Sequence, residues 1–270
     1  MKVRLITASI YIKNRNLILF VFLALTINNI IGIFYYKTIN NNNKNIIDYK
    51  KRTISEKIFW SNAYKKGNQT IYEYVQNING LINDRLLLID PKHTKPTFFE
   101  NYILYIYSMY LGKYEWYTTA KAIKLGGGFC SQHAFVLNNI LREQGINSRI
   151  LALSGHVVNE VYIENKWYVV DSTYNIIINK SLCELENNSE LVYQAYINAG
   201  RPEDEAKKWK SIYQSAGNNW HFMSSKIYGL KRYLIEKIAL YLVWIIPLVL
   251  LIIYMVCLYC ESHYSITRKD

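Results

Sequence analysis

The run "IALYLVWIIPLVLLIIYMVCLY", Ile238 to Tyr259, constrains this chain more than any other stretch: 22 residues without one charge. At a rise of about 1.5 Å per residue it is long enough to cross a bilayer. Pro247 inside it is tolerated in a membrane helix, where neighbouring groups re-satisfy the freed backbone. A buried core helix is the alternative, but uncharged runs of this length are rare in soluble folds. A second uncharged run, Leu17 to Tyr36, follows Lys2, Arg4, Lys13 and Arg15. A basic front ahead of an apolar run marks a signal sequence or an anchor. No small-residue cleavage site follows it, so an uncleaved anchor is expected, although Asn28 and Asn29 cost something in lipid. The chain is therefore expected to be a multi-pass membrane protein, with a domain held between two spans.

Sidedness is read from the flanking charges. Around the first run the basic residues nearly balance, with Lys37, Lys44, Lys50, Lys51 and Arg52 behind it. Before the second run stand Lys226, Lys231, Arg232 and Lys237, and behind it Arg268 and Lys269. Strict counting keeps the middle domain in the cytoplasm. The first helix usually dominates, however, and long domains translocate despite their charge. The reading adopted is both tails in the cytoplasm and the domain extracytoplasmic.

The net charge of +12 raises nucleic acid as a partner. The positives are spread along the chain, with no RNA-binding aromatic motif and no zinc-finger spacing, so no nucleic acid is expected. Of four cysteines, Cys257 and Cys260 lie in or beside the last apolar run, leaving Cys130 and Cys183. Two cysteines make neither a disulfide framework nor a zinc set, and no metal site is expected. Residues 1–16 read as a basic tail, 17–36 as an anchor and 37–57, rich in Asn and Lys, as a linker. Residues 226–237 read as a basic juxtamembrane segment, 238–259 as the second span and 260–270 as a tail. Within the middle, Glu56 to Gln76 and Thr97 to Tyr110 have helical spacing, and Arg201-Pro202-Glu203 opens a further helix.

The stretch "GGGFC", 126–130, runs into "SQHAFVLNNILREQGI". Ala134, Val136, Leu137, Ile140 and Leu141 follow helical spacing, and Gly145 suits the helix end. Cys130 thus begins a helix. A helix N-terminus stabilises an adjacent anion, whether a thiolate or a developing oxyanion. The glycines are expected to let a substrate backbone approach. Downstream, "NSRILALSGHVVNEVYIENKWYVVDSTYN" reads as three strands, the last two joined at Glu164-Asn165-Lys166. His156 leads one strand of that hairpin and Asp171 ends the other, so both fall on one face, directly opposite or diagonal. Taken singly, each residue has a bland reading: a capping cysteine, a satisfied histidine, a turn aspartate. The ordered set is that of a nucleophile, its base and an orienting acid.

The pieces "GGGFCSQHAFVLNNILREQGINSRIL" and "GHVVNEVYIENKWYVVDSTYN" resemble the core of the transglutaminase-like superfamily of papain-type cysteine enzymes. The resemblance implies an α+β, papain-like fold between the two transmembrane helices, its nucleophile helix packed on an antiparallel sheet. It implies a domain over 58–225 with its core at 126–175, and Cys130 as nucleophile, His156 as base and Asp171 as acid. It implies amide chemistry on a protein or peptide, by acyl transfer or hydrolysis, without a cofactor. Val158 and Ser172 depart from the Trp and Pro common in the family, which bears on substrate shape. A non-catalytic peptide- or glycan-binding module on the same fold is the rival reading, and a small-molecule acyltransferase a third. His133 is an alternative base, Gln132 a substrate contact, Glu160 a cleft residue, and Trp116 or Tyr117 an oxyanion donor. Each of these has a structural reading as well. Cys183 reads as structural, and Cys257-x-x-Cys260 lacks the context of a redox motif.

Overall fold

The computed structural model describes residues 2–47, 53–214, 219–222 and 229–266. Parts of the expected linker (48–52), juxtamembrane segment (226–228) and tail (267–270) lie outside the described residues. In chain order the elements are α1 (Lys2–Phe34), α2 (Glu56–Asn62), α3 (Ile71–Arg85), β1 (Leu87–Leu88), α4 (Tyr102–Leu111), α5 (Thr119–Leu125), β2 (Gly127–Gly128) and α6 (Cys130–Glu143). They continue with β3 (Ser148–Leu153), β4 (His156–Ile163), β5 (Lys166–Asp171), β6 (Ile176–Ile178), α7 (Leu182–Asn187), α8 (Glu190–Asn198), α9 (Glu203–Tyr213), β7 (Trp220–Phe222) and α10 (Leu230–Ile266). Two compact units result: one of Met1–Lys37, Pro96–Tyr110 and Ile235–Asp270, the other of Thr38–Lys95 and Leu111–Leu234.

The second unit is built on a five-stranded antiparallel sheet in the order β6-β5-β4-β3-β7. Alternation sends Ile150 and Val157 to one face, where Ala134 and Phe135 of α6 meet them. Leu151, Val158 and Val169 go to the other face, under α7, α8 and α9. The buried Asn159 ties the sheet to α6 by donating to the Ala134 carbonyl at 3.1 Å. The helical pattern from Glu56 to Gln76 is broken in two. Thr70 and Glu73 form a capping box that starts α3 afresh after the Gly67-Asn68 turn.

The glycines before α6 serve packing rather than substrate approach. Gly126 ends α5 in the left-handed region, at φ 75°. Gly127 and Gly128 are buried and pair in parallel with Leu87 and Leu88. A Cβ on Gly128 would stand 2.4 Å from both Cβ and Cγ of Gln132, atoms too near the backbone to swing aside. Gly128→Ala is therefore expected to lower stability by about 1–3 kcal/mol, the usual cost of overpacking. A denaturant titration of the full-length protein measures it.

In the first unit, α1 and α10 are each long and apolar enough to cross a membrane. Pro247 has no N–H, so the Val243 carbonyl one turn earlier lacks its helical donor. Asn29 of α1 supplies one at 2.6 Å and the Tyr102 hydroxyl of α4 another at 3.3 Å. The residue that looked costly in lipid and the proline that looked merely tolerated thus answer each other. Arg15 and Glu261 form an ion pair between the same two helices.

Candidate active site

Cys130 is the first residue of α6. Phe129 before it is extended, and its carbonyl accepts the N–H groups of Gln132 and His133 at 2.9 and 3.2 Å. In the β4–β5 hairpin, Glu164 and Asn165 take positive φ values of 48° and 65°, which makes the connection a two-residue turn of the mirror-image type. Asn159 pairs with Val170, which sets Asp171 opposite Val158. His156 lies two residues further along on the same face, so the relation is diagonal. The His156 Nε2 and Asp171 Oδ2 are 2.7 Å apart. Because His156 is the first residue of β4, its ring also meets α6 at the end of the sheet, where the Cys130 side chain favours its charged form. With Nε2 facing the carboxylate, Nδ1 is the nitrogen left for the sulfur.

All three groups are buried, Cys130 at 5%, His156 at 3% and Asp171 at 1% exposure. Burial alone would discharge the His156 ring. The charge and hydrogen bond of Asp171, together with Cys130, outweigh it and raise the ring to about 10. Burial likewise works against the Asp171 carboxylate. The histidine, the Tyr196 hydroxyl and the Thr173 N–H reverse that and hold it below its ordinary value. The arrangement is a buried imidazole–carboxylate pair that favours the charged ring, with the Cys130 sulfur close to it.

Two aromatic residues complete the surroundings, and sequence reasoning had not singled out either. The Tyr196 hydroxyl of α8 donates to Asp171 Oδ2 at 2.5 Å, the same oxygen that faces the histidine, while Thr173 N–H donates to Oδ1 at 2.8 Å. Burial, then Asp171, push the Tyr196 phenol well above 10, so it stays protonated and donates. Trp209 of α9 lies over the His156 ring with centroids 4.4 Å apart, a placement that favours the charged ring. The signal available was a buried helical stripe of Ala206, Trp209 and Tyr213, which marks a core face without saying what it covers. Tyr196→Phe removes one donor from a buried carboxylate, and a stability loss of about 1.5–3 kcal/mol is expected from that bond to a charged group. Chemical denaturation of the variant beside wild type gives the value.

The other candidates fall elsewhere. His133 is buried, with Nδ1 2.9 Å from the Phe129 carbonyl and Nε2 3.2 Å from the Leu86 carbonyl. Both ring nitrogens face backbone, and burial pushes the ring down from its ordinary value. Gln132 grips the Trp116 backbone on both sides, accepting its N–H at 2.7 Å and donating to its carbonyl at 2.6 Å. Tyr117 stacks on Phe135 at 4.9 Å, in the apolar cluster that contains Cys130. Glu160 accepts from Arg149 Nε at 2.7 Å and from the Leu182 N–H at 2.6 Å, so it locks α7 to the sheet. Glu115, which sequence reasoning passed over, is buried beside α6 and accepts from Ser131 Oγ at 2.5 Å. Burial raises its carboxyl despite Ser131 and Arg232. Among the described residues no three His, Cys, Asp or Glu side chains gather as a metal ligand set.

A helix headed by a cysteine and packed on an antiparallel sheet, with histidine and aspartate at the strand ends, is the architecture of the papain-like class. Residues 90–172 match the family model described as the transglutaminase-like superfamily, and the chain carries a domain of that kind. The matched span includes Cys130, His156 and Asp171. The superfamily works in general through a cysteine nucleophile. Comparison with curated proteins and with solved structures finds no match.

Proposed function

We propose that this chain is a membrane-anchored cysteine enzyme that breaks amide bonds of a protein or peptide, with Cys130, His156 and Asp171 as its triad. The observation that carries the reading is the His156 ring held between the Asp171 carboxylate and the thiol at the head of α6. Cys130 attacks the carbonyl carbon as the thiolate, its proton held on His156, and the N–H groups at the head of α6 receive the charge that develops on oxygen. The C–N bond breaks as His156 gives its proton to the departing amine. Water or a second amine then attacks the thioester, returns a proton to His156 and frees the sulfur. Asp171 keeps the ring oriented and its charged form stable throughout.

The test is product analysis. The full-length protein in vesicles is offered peptide and amine libraries, and mass spectrometry separates hydrolysis (a new acid) from transfer (a new amide). A Cys130 thiol that alkylates no faster than free cysteine, with no product from any library, supports the non-catalytic peptide- or glycan-binding module instead. For location, the reading is two spans with an extracytoplasmic domain. Protease added to intact spheroplasts then digests the domain and spares a tag at Asp270. A protected domain with a digested tag reverses the orientation.

A further inference from the structure

We propose that the segment from Thr97 to Tyr110 is a third membrane-embedded element, with α4 lying in one leaflet and its open face covered by lipid acyl chains. The inference rests on the membrane anchoring proposed above. From Asn101 to Gly112 the chain carries no charge, and Glu100 and Lys113 bracket it. Ten helical residues span about 15 Å, half of what a crossing needs. The segment therefore enters and leaves on one side, as it must, since Lys95 and Leu111 at its two ends belong to the same compact unit.

Its depth is set by its partners. Asn101 Nδ2 donates to the Ala239 carbonyl at 3.2 Å, Tyr102 to Val243, and Asn28 Nδ2 to the Phe98 carbonyl at 3.4 Å. Ala239 and Val243 stand near the start of the uncharged run of α10, and Asn28 stands about two turns before the end of α1. All three contacts fall within about 10 Å of one end of the apolar spans. At the entry, Glu100 accepts from the Thr97 N–H at 2.7 Å and the Lys37 N–H at 3.2 Å, a polar cluster suited to the headgroup level.

The remaining face is apolar and open. Ile106 is 61% exposed, Met109 56% and Tyr110 88%, with Phe98 and Phe99 beside them. A patch this large on one short helix is unfavourable in water. α1 and α10, to which the segment is bonded, expose apolar side chains as well. Four tyrosines, at 102, 105, 107 and 110, suit the boundary between headgroups and acyl chains. Lipid is therefore the occupant that the contacts, the length and the composition agree on, rather than a second protein.

The full-length wild-type protein is reconstituted in phosphatidylcholine vesicles containing a trace of phosphatidylcholine with a photoactivatable diazirine in its acyl chain. After irradiation and digestion, adducts are mapped by mass spectrometry. Peptides covering 98–110 are expected to carry label about tenfold or more above the peptide of α9, alongside label in 17–36 and 238–259. Label in both spans with 98–110 at the level of α9 overturns the inference and leaves the anchoring intact. Absence of label from the spans as well overturns both.

Discussion

Replacing Cys130 with alanine is expected to reduce turnover by about a thousandfold or more on any amide that the wild type processes. The loss is this large because no neighbouring group can replace the sulfur. Ser131, the next residue, has its hydroxyl committed to Glu115, and both nitrogens of His133 face backbone carbonyls. The substitution removes only one sulfur atom from the cluster around Phe135 and Ile150, so the denaturation midpoint is expected to move little. Activity and midpoint are to be measured on the same preparation. Comparable turnover in the variant removes Cys130 from the chemistry, whereas lost activity with a collapsed midpoint assigns it to packing.

The second large effect is expected from Asp171→Asn. The His156 ring stands at about 10 against its ordinary 6.5 although burial opposes the charge, and Asp171 is the chief reason. With a neutral amide in its place, burial becomes the leading influence and the ring shifts toward its neutral form. The orienting bond to Nε2 weakens and the wrong tautomer becomes accessible, so turnover is expected to fall by about three orders of magnitude. Stability carries the same signature. The raised histidine stabilises the fold fully below about pH 6.5, and that contribution fades as pH rises through 10. The lowered aspartate contributes above its ordinary 3.8 and loses that contribution as pH falls below it. Wild-type urea midpoints should therefore decline between pH 6.5 and 10, and the variant should lose most of that slope. A variant that keeps the wild-type slope would refute the charged pair.

The sequence is most informative where a period and a punctuation mark coincide. The helix at Cys130 had both, apolar spacing and flanking glycines, and the hairpin had two alternating runs around Glu164-Asn165. Alternation alone fixed a common face for His156 and Asp171 but not their register, and that needed the turn type to be known. Tyr196 lies 25 residues beyond Asp171 on a helix whose docking no local pattern encodes. The apolar spacing from Thr97 to Tyr110 suits an ordinary helix, and nine apolar residues with one serine describe a core helix equally well. What distinguishes it is its bonding to residues up to 141 positions away. The glycines misled for a similar reason: room left by a missing side chain looks the same in sequence whether a substrate or Gln132 occupies it.

The shared acceptor at Val243 also imposes an order on synthesis. Its partners Asn29 and Tyr102 precede it by 214 and 141 residues. At roughly 5–20 residues per second, Asn29 is made about 10–40 seconds before its carbonyl exists. Throughout that interval α1 has no Val243 to bind, and the whole Thr38–Leu234 stretch is completed while α1 and α4 still await the carbonyl that joins them. The helix made after both partners, α10, is thus the one that joins them, and a ribosome that stops before residue 243 leaves a product whose α1 amide has lost its designated acceptor.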